Sequence, residues 1–135
     1  MFEKIQISLF LLLICSTFTN AQKEVLFFQT DWGFEGEAEV FIKRAKDSGY
    51  DGVEIWAPMD VEKLIEISKI IKNHKMKVIF LCGSDPSLTY EKSLKKYKDF
   101  LKNTFEMNPF AINSHTGSDF YTFDQNIAFI EEADK

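Results

Sequence analysis

The 135-residue sequence holds two cysteines, two histidines, three prolines and six glycines, and each shortage excludes something. Cys15 lies in an apolar N-terminal stretch and Cys82 stands alone in all that follows, so no disulfide can staple the folded part of the chain. Stability has to come from packing. There is no C-x-x-C, no G-x-G-x-x-G, no P-loop and no G-x-S-x-G, which removes the usual signatures of structural zinc, dinucleotide binding, phosphate cradling and α/β-hydrolase chemistry. Basic side chains number 16 against 21 acidic ones, a formal net charge of −5. Nucleic acid, which calls for a basic face, is not an expected partner.

Long apolar runs are scarce too. The run Leu9 to Cys15 is too short to cross a bilayer and suits the apolar centre of a secretory signal. Thr19-Asn20-Ala21 places a small residue before Gln22, where cleavage is expected. Residues 1–21 are thus expected to be a signal peptide that sends the protein to a secreted or periplasmic location, with membrane contact only if the segment stays uncleaved. Residues 22–135 are long enough for one hydrophobic core and too short for two.

What is present is an alternation of two periods. Val25-Leu26-Phe27-Phe28 reads as a strand buried on both faces, and Glu37 to Ser48 as a helix with Ala38, Phe41, Ile42 and Ala45 on one side. Gly49 suits a C-terminal cap. Gly52-Val53-Glu54-Ile55-Trp56 is a second strand, followed by a helix capped by Asp60 and lined by Val61, Leu64, Ile65, Ser68 and Ile71. The third pair is Lys77 to Cys82 and a helix opening near Asp85-Pro86-Ser87 that carries Tyr90, Leu94, Tyr97, Leu101 and Phe105. The fourth is Phe110 to Asn113, with a capping box at Thr122-Phe123-Asp124-Gln125 opening a helix that turns Ile127, Ile130 and Ala133 inward. Strand starts near 25, 53, 78 and 111 recur at the pace of βα units, about 30 residues each. The expected class is α/β with a parallel sheet, doubly wound or barrel-like.

Three segments carry a resemblance: Phe27-Phe28-Gln29-Thr30-Asp31-Trp32-Gly33, the phrase Ala45-Lys46-Asp47-Ser48-Gly49-Tyr50-Asp51-Gly52-Val53-Glu54-Ile55-Trp56, and Asn113-Ser114-His115-Thr116-Gly117. Together they resemble the xylose isomerase-like TIM-barrel superfamily, which includes sugar phosphate isomerases and epimerases and the zinc endonucleases of the endonuclease IV group. The resemblance covers residues 22–135 as the first four βα units of a (β/α)8 barrel. It implies a half barrel or a fragment, since a whole barrel takes about 250 residues. A half barrel would need a second copy, making a homodimer; a small open sheet is the remaining alternative.

The resemblance implies a divalent metal (Mn, Mg, Co or Zn) at the C-terminal mouth, acting as a Lewis acid on a carbohydrate substrate while a carboxylate moves the proton. Most of that metal's carboxylates would come from strands five to eight, beyond Lys135. The implied function is an exported sugar or sugar phosphate isomerase or epimerase, with this chain alone inactive; a secreted carbohydrate-binding barrel without catalysis is the alternative. A zinc-dependent abasic-site endonuclease shares the fold but fits poorly with export and negative charge.

Alternation along the strands nominates residues without reference to any family. Asn113 and His115 share a face opposite Ile112 and Ser114, and Glu54 and Trp56 share a face opposite Val53 and Ile55. A carboxylate within an apolar strand needs a partner, so Glu54 either fixes neighbouring strands by hydrogen bonding or supports a substrate. His115 is a loop histidine on the plainest reading, and a substrate contact or metal ligand if the strand delivers it to a mouth. Trp32 and Trp56 end strands, where indoles stack on sugars or fill core. Asp31 either contacts a substrate hydroxyl or caps the following turn, the cap being the expected role, and Cys82 is expected to be a small buried residue. Export predicts that the mature protein begins at Gln22; N-terminal sequencing of secreted material reads this directly, and an intact Met1 would refute the cleavage.

Overall fold

A computed structural model describes residues 25–135; the expected signal peptide at 1–21 lies outside the described residues. Four strands, β1 (Phe28–Thr30), β2 (Gly52–Trp56), β3 (Lys77–Gly83) and β4 (Ala111–His115), alternate with four helices, α1 (Ala38–Asp47), α2 (Val61–Asn73), α3 (Tyr90–Phe105) and α4 (Phe123–Ala133). The strands form one parallel sheet in the order β1-β2-β3-β4. The expected α/β class with a parallel sheet is therefore what the chain adopts. A doubly wound sheet reverses its strand order at a switch point, and these four strands run in sequence without a reversal.

The helices pack on one face of the sheet. Phe41, Ile42 and Ala45 of α1, Leu64 and Ile71 of α2, and Tyr97 and Phe100 of α3 meet Val53, Ile55, Val78, Phe80 and Cys82 from the strands in one core. Each of the large apolar side chains buried there contributes about 1.5–3 kcal/mol. The expected Cys82 environment holds: the thiol is fully buried, donates to Thr104 Oγ1 at 3.6 Å and is pushed up by desolvation, so it is not primed as a nucleophile.

Several boundaries differ from the sequence reading. The first strand sits three residues later, because Val25 and Phe27 are 70% and 62% exposed and precede the sheet, while Gln29 and Thr30 pair with Val53 and Glu54. Asp85 starts a turn instead of a helix: its carboxylate accepts from the Ser87 amide and hydroxyl and from Lys96 at 2.8 Å, which holds it down to about 2. Helix α3 then begins after Thr89. The capping box of α4 forms as expected, Thr122 and Gln125 satisfying each other's amides. The buried residue of α4 is Phe129, however, enclosed by Tyr90, Tyr97 and Tyr121 at 5.4–6.0 Å between ring centroids, and Ile130 and Ala133 face outward. Phe105 likewise points out, and Thr104 takes the buried position.

The opposite face of the sheet is concave. Phe28 and Phe110 lie at its two sides, three strand spacings apart, which on a flat sheet would be about 14 Å; their rings meet at 5.4 Å. Phe28 reaches across because Gly52 has no side chain beneath it. A Cβ at Gly52 would stand 2.4 Å from the Phe28 ring and 2.7 Å from the Lys77 carbonyl oxygen. Gly52→Ala is expected to destabilise the fold by about 1–3 kcal/mol, the usual range for forced overpacking; an unchanged urea midpoint would show that the sheet is not closed this tightly.

Candidate functional site

The registers Glu54–Ile79–Ala111 and Trp56–Leu81–Asn113 carry Glu54, Trp56, Asn113 and His115 onto the concave face. These four residues sit in the C-terminal halves of β2 and β4, with β3 between. Asn113 Nδ2 donates to Glu54 Oε1 at 2.9 Å, spanning the strand that separates them. On a flat sheet those two backbones stand about 9.6 Å apart, and the sheet's curvature brings the side chains within reach. The half-buried carboxylate thus has the partner its strand position demanded, and its second oxygen remains free to accept from a ligand.

One layer higher, Trp56 and His115 meet edge to face with ring centroids 5.4 Å apart. Gly83, which pairs with His115 in the register, makes this possible: a Cβ there would lie 3.2 Å from the Trp56 ring. Trp56 keeps 46% of its surface exposed and His115 is exposed, so both present surface to solvent. His115 is the last residue of β4, and its carbonyl accepts from the Ser84 amide at 3.3 Å. The plainer reading, a histidine in a loop, does not hold. On the helix side Ser114 shares a hydrogen bond with the Tyr97 hydroxyl, tying β4 to α3 and fixing which way Asn113 and His115 face. The following loop is held by Asn126, whose side chain bonds the Ser118 amide and carbonyl and the Tyr121 and Thr122 carbonyls.

No family model matches this sequence, and no curated protein does either. The site is therefore read from its own chemistry.

Trp32 is not brought to the other four. It is 66% exposed and lines a separate cleft of about 480 Å³ between β1 and α1, beside Gln29, Thr30 and Arg44. Asp31 does not take the turn-capping role expected of it. Its backbone carbonyl closes the turn to Phe34, but its side chain does not cap it: Oδ1 is buried without a hydrogen-bond partner. Burial pushes the Asp31 carboxyl above its ordinary value, the amides of Asp31 and Trp56 pull it back, and the charge of Glu54 adds to the rise. A second acidic group therefore stands near Glu54 at the mouth. The signal for it was its place directly after a strand.

The resemblance places most ligands of its divalent cation outside these residues, with His115 as the one expected here. Among the described residues no group of three His, Cys, Asp or Glu side chains converges as a ligand set, and Glu54 Oε1 is engaged by Asn113. His115 supplies a single nitrogen. What the arrangement offers by itself is a hydrogen-bonding carboxylate–amide pair, an imidazole able to donate or accept, and an indole surface, which together suit a polyhydroxylated ligand.

Because its folded-state value is raised, ionised Asp31 opposes folding. Stability is retained while the carboxyl is protonated and declines as pH rises from the unfolded value of about 3.9 through the higher folded one. Asp31→Asn, which cannot ionise, is expected to show a smaller decline than the wild type across that window in urea unfolding; identical pH profiles would remove the strained carboxyl.

Proposed function

We propose that residues 22–135 form half of a (β/α)8 barrel of the xylose isomerase-like kind and that the C-terminal ends of β2 and β4 are one wall of a carbohydrate pocket belonging to a sugar or sugar phosphate isomerase or epimerase. The observation that carries this is the convergence of Glu54, Asn113, Trp56 and His115 at the C-terminal end of a parallel sheet, on its concave side, where such barrels keep their sites. The sequential strand order and the curvature that brings Phe28 to Phe110 support the barrel geometry. In this reading Glu54 and Asn113 bind adjacent hydroxyls, Trp56 packs on the apolar face of the sugar, and His115 contacts a ring or carbonyl oxygen. Export fits an extracytoplasmic sugar metabolism.

A non-catalytic carbohydrate-binding module is the second reading. It is favoured by one feature: the indoles of Trp32 and Trp56 are exposed at the surface.

Both readings require binding before chemistry. Saturable quenching of tryptophan fluorescence by a pentose, a hexose or a phosphate ester of one is expected, and Glu54→Ala or Asn113→Ala should weaken it roughly ten- to a hundredfold, the weight of a charge-assisted hydrogen bond of about 1.5–3 kcal/mol. A panel of such sugars at tens of millimolar that leaves fluorescence and thermal midpoint unmoved would overturn the proposal. Isomerised or epimerised product appearing with the bound sugar separates the enzyme from the binding module.

A further inference from the structure

We infer that Thr30 is a further ligand-binding residue of this wall, its hydroxyl acting beside the Glu54 carboxylate to hold two adjacent, unesterified hydroxyls of a sugar. That role presupposes the carbohydrate reading of the pocket and adds to it a residue and the part of the ligand it meets.

The sheet register puts Thr30 in place. It pairs with Glu54 across the parallel ladder, and paired residues of neighbouring parallel strands present their side chains to the same face. Two residues earlier on β1, Phe28 lies over Gly52 and reaches Phe110 across the concave face, so a period of two gives Thr30 that face as well. Thr30 is the last residue of β1 and half-buried, level with the C-terminal halves of β2 and β4 that carry the other polar groups. Neighbouring strands stand about 4.8 Å apart. Its hydroxyl and the Glu54 carboxylate are thus side by side, at a separation that two adjacent hydroxyls of one sugar ring can bridge.

The two groups are complementary as hydrogen-bonding partners. Asn113 occupies Oε1 of Glu54 at 2.9 Å, and the other oxygen can only accept, as a carboxylate does. Thr30 Oγ1 accepts from the Trp32 amide at 3.4 Å, which uses a lone pair and leaves the hydroxyl proton to be donated. A sugar hydroxyl both donates and accepts. Of two adjacent ones, the first gives its proton to Glu54 and the second receives the proton of Thr30. A phosphate in the first place would bring an acceptor and a negative charge against the carboxylate, so the diol that fits here is unesterified.

Titration of the protein with D-glucose, D-xylose and their monodeoxy analogues, followed by tryptophan fluorescence, tests this. Thr30→Val is expected to weaken binding about three- to tenfold, the weight of one neutral hydrogen bond, and Thr30→Ser to restore it. One monodeoxy analogue should bind the wild type more weakly by a similar factor and be indifferent to Thr30→Val, because the partner hydroxyl is already gone. Unchanged binding by Thr30→Val, with Glu54→Ala still weakening it, would overturn the role of Thr30 and spare the pocket. An equal loss for every analogue, or no rescue by Thr30→Ser, would make Thr30 a structural residue and also overturn it. A wild type that binds none of these sugars while binding others of the panel would overturn it too, and a wild type that binds no sugar at all would remove the pocket itself.

Discussion

The curvature of the sheet is the constraint on which the site depends. Parallel strands lie about 4.8 Å apart, and side chains on alternate strands meet only where the sheet bends toward them. Two glycines make the bend compatible with packing. Gly52 leaves room at the lower end of β2 for Phe28 to cross toward Phe110, and Gly83 leaves room at the upper end of β3 for Trp56 to cross toward His115. Between those aromatic bridges the Glu54–Asn113 bond spans β3. The concave face is therefore apolar below and polar above, which places hydrogen-bonding chemistry at the C-terminal end of the strands.

The helix side holds that face in register. Phe80 and Cys82 of β3 are fully buried beneath the helices, and Leu81 between them is as deeply buried on the concave side, where Trp56 and Asn113 flank it in the register. The Tyr97–Ser114 bond ties the edge strand β4 to α3. A one-residue slip of β4 would send Asn113 and His115 into the helix layer and bring Ile112 and Ser114 out, so this bond bears on the site although neither partner faces it. Asp31 is a residue of another sort, a carboxyl buried on one oxygen next to Glu54, which costs folding energy and is the kind of strain that clusters at binding sites.

Much of the fold was legible because it is carried by periodicity. The amphipathic stripe of α1, the capping box at Thr122 and the strands Gly52–Trp56 and Lys77–Gly83 follow from local spacing and side-chain type; on α2 Leu64, Ser68 and Ile71 are buried as expected, while Val61 and Ile65 are exposed. The errors lie where local signals are tied. Val25 to Phe28 is as apolar as a strand, yet β1 starts at Phe28, because pairing with β2 and not composition sets its register. Asp85-Pro86-Ser87 has a helix-start composition, but Lys96 reaches back to Asp85 and stabilises a turn instead. On α4 the choice of Phe129 over Ile130 was made by the tyrosines around it, which come from α3 and the β4–α4 loop.

Of the five nominated residues, alternation alone placed four on one face, since a period of two needs no knowledge of the partner strand. The sequence by itself determined the α/β class, the parallel crossovers and the side of each strand on which Glu54, Trp56, Asn113 and His115 stand. Only the tertiary structure decided that Asn113 answers Glu54, that Trp56 covers Gly83 to meet His115, that Trp32 lies apart by α1 and that Asp31 buries one carboxyl oxygen without a partner at the mouth. Those relations join segments up to 59 residues apart in the chain, set by how far the sheet bends, and no local pattern encodes that bend.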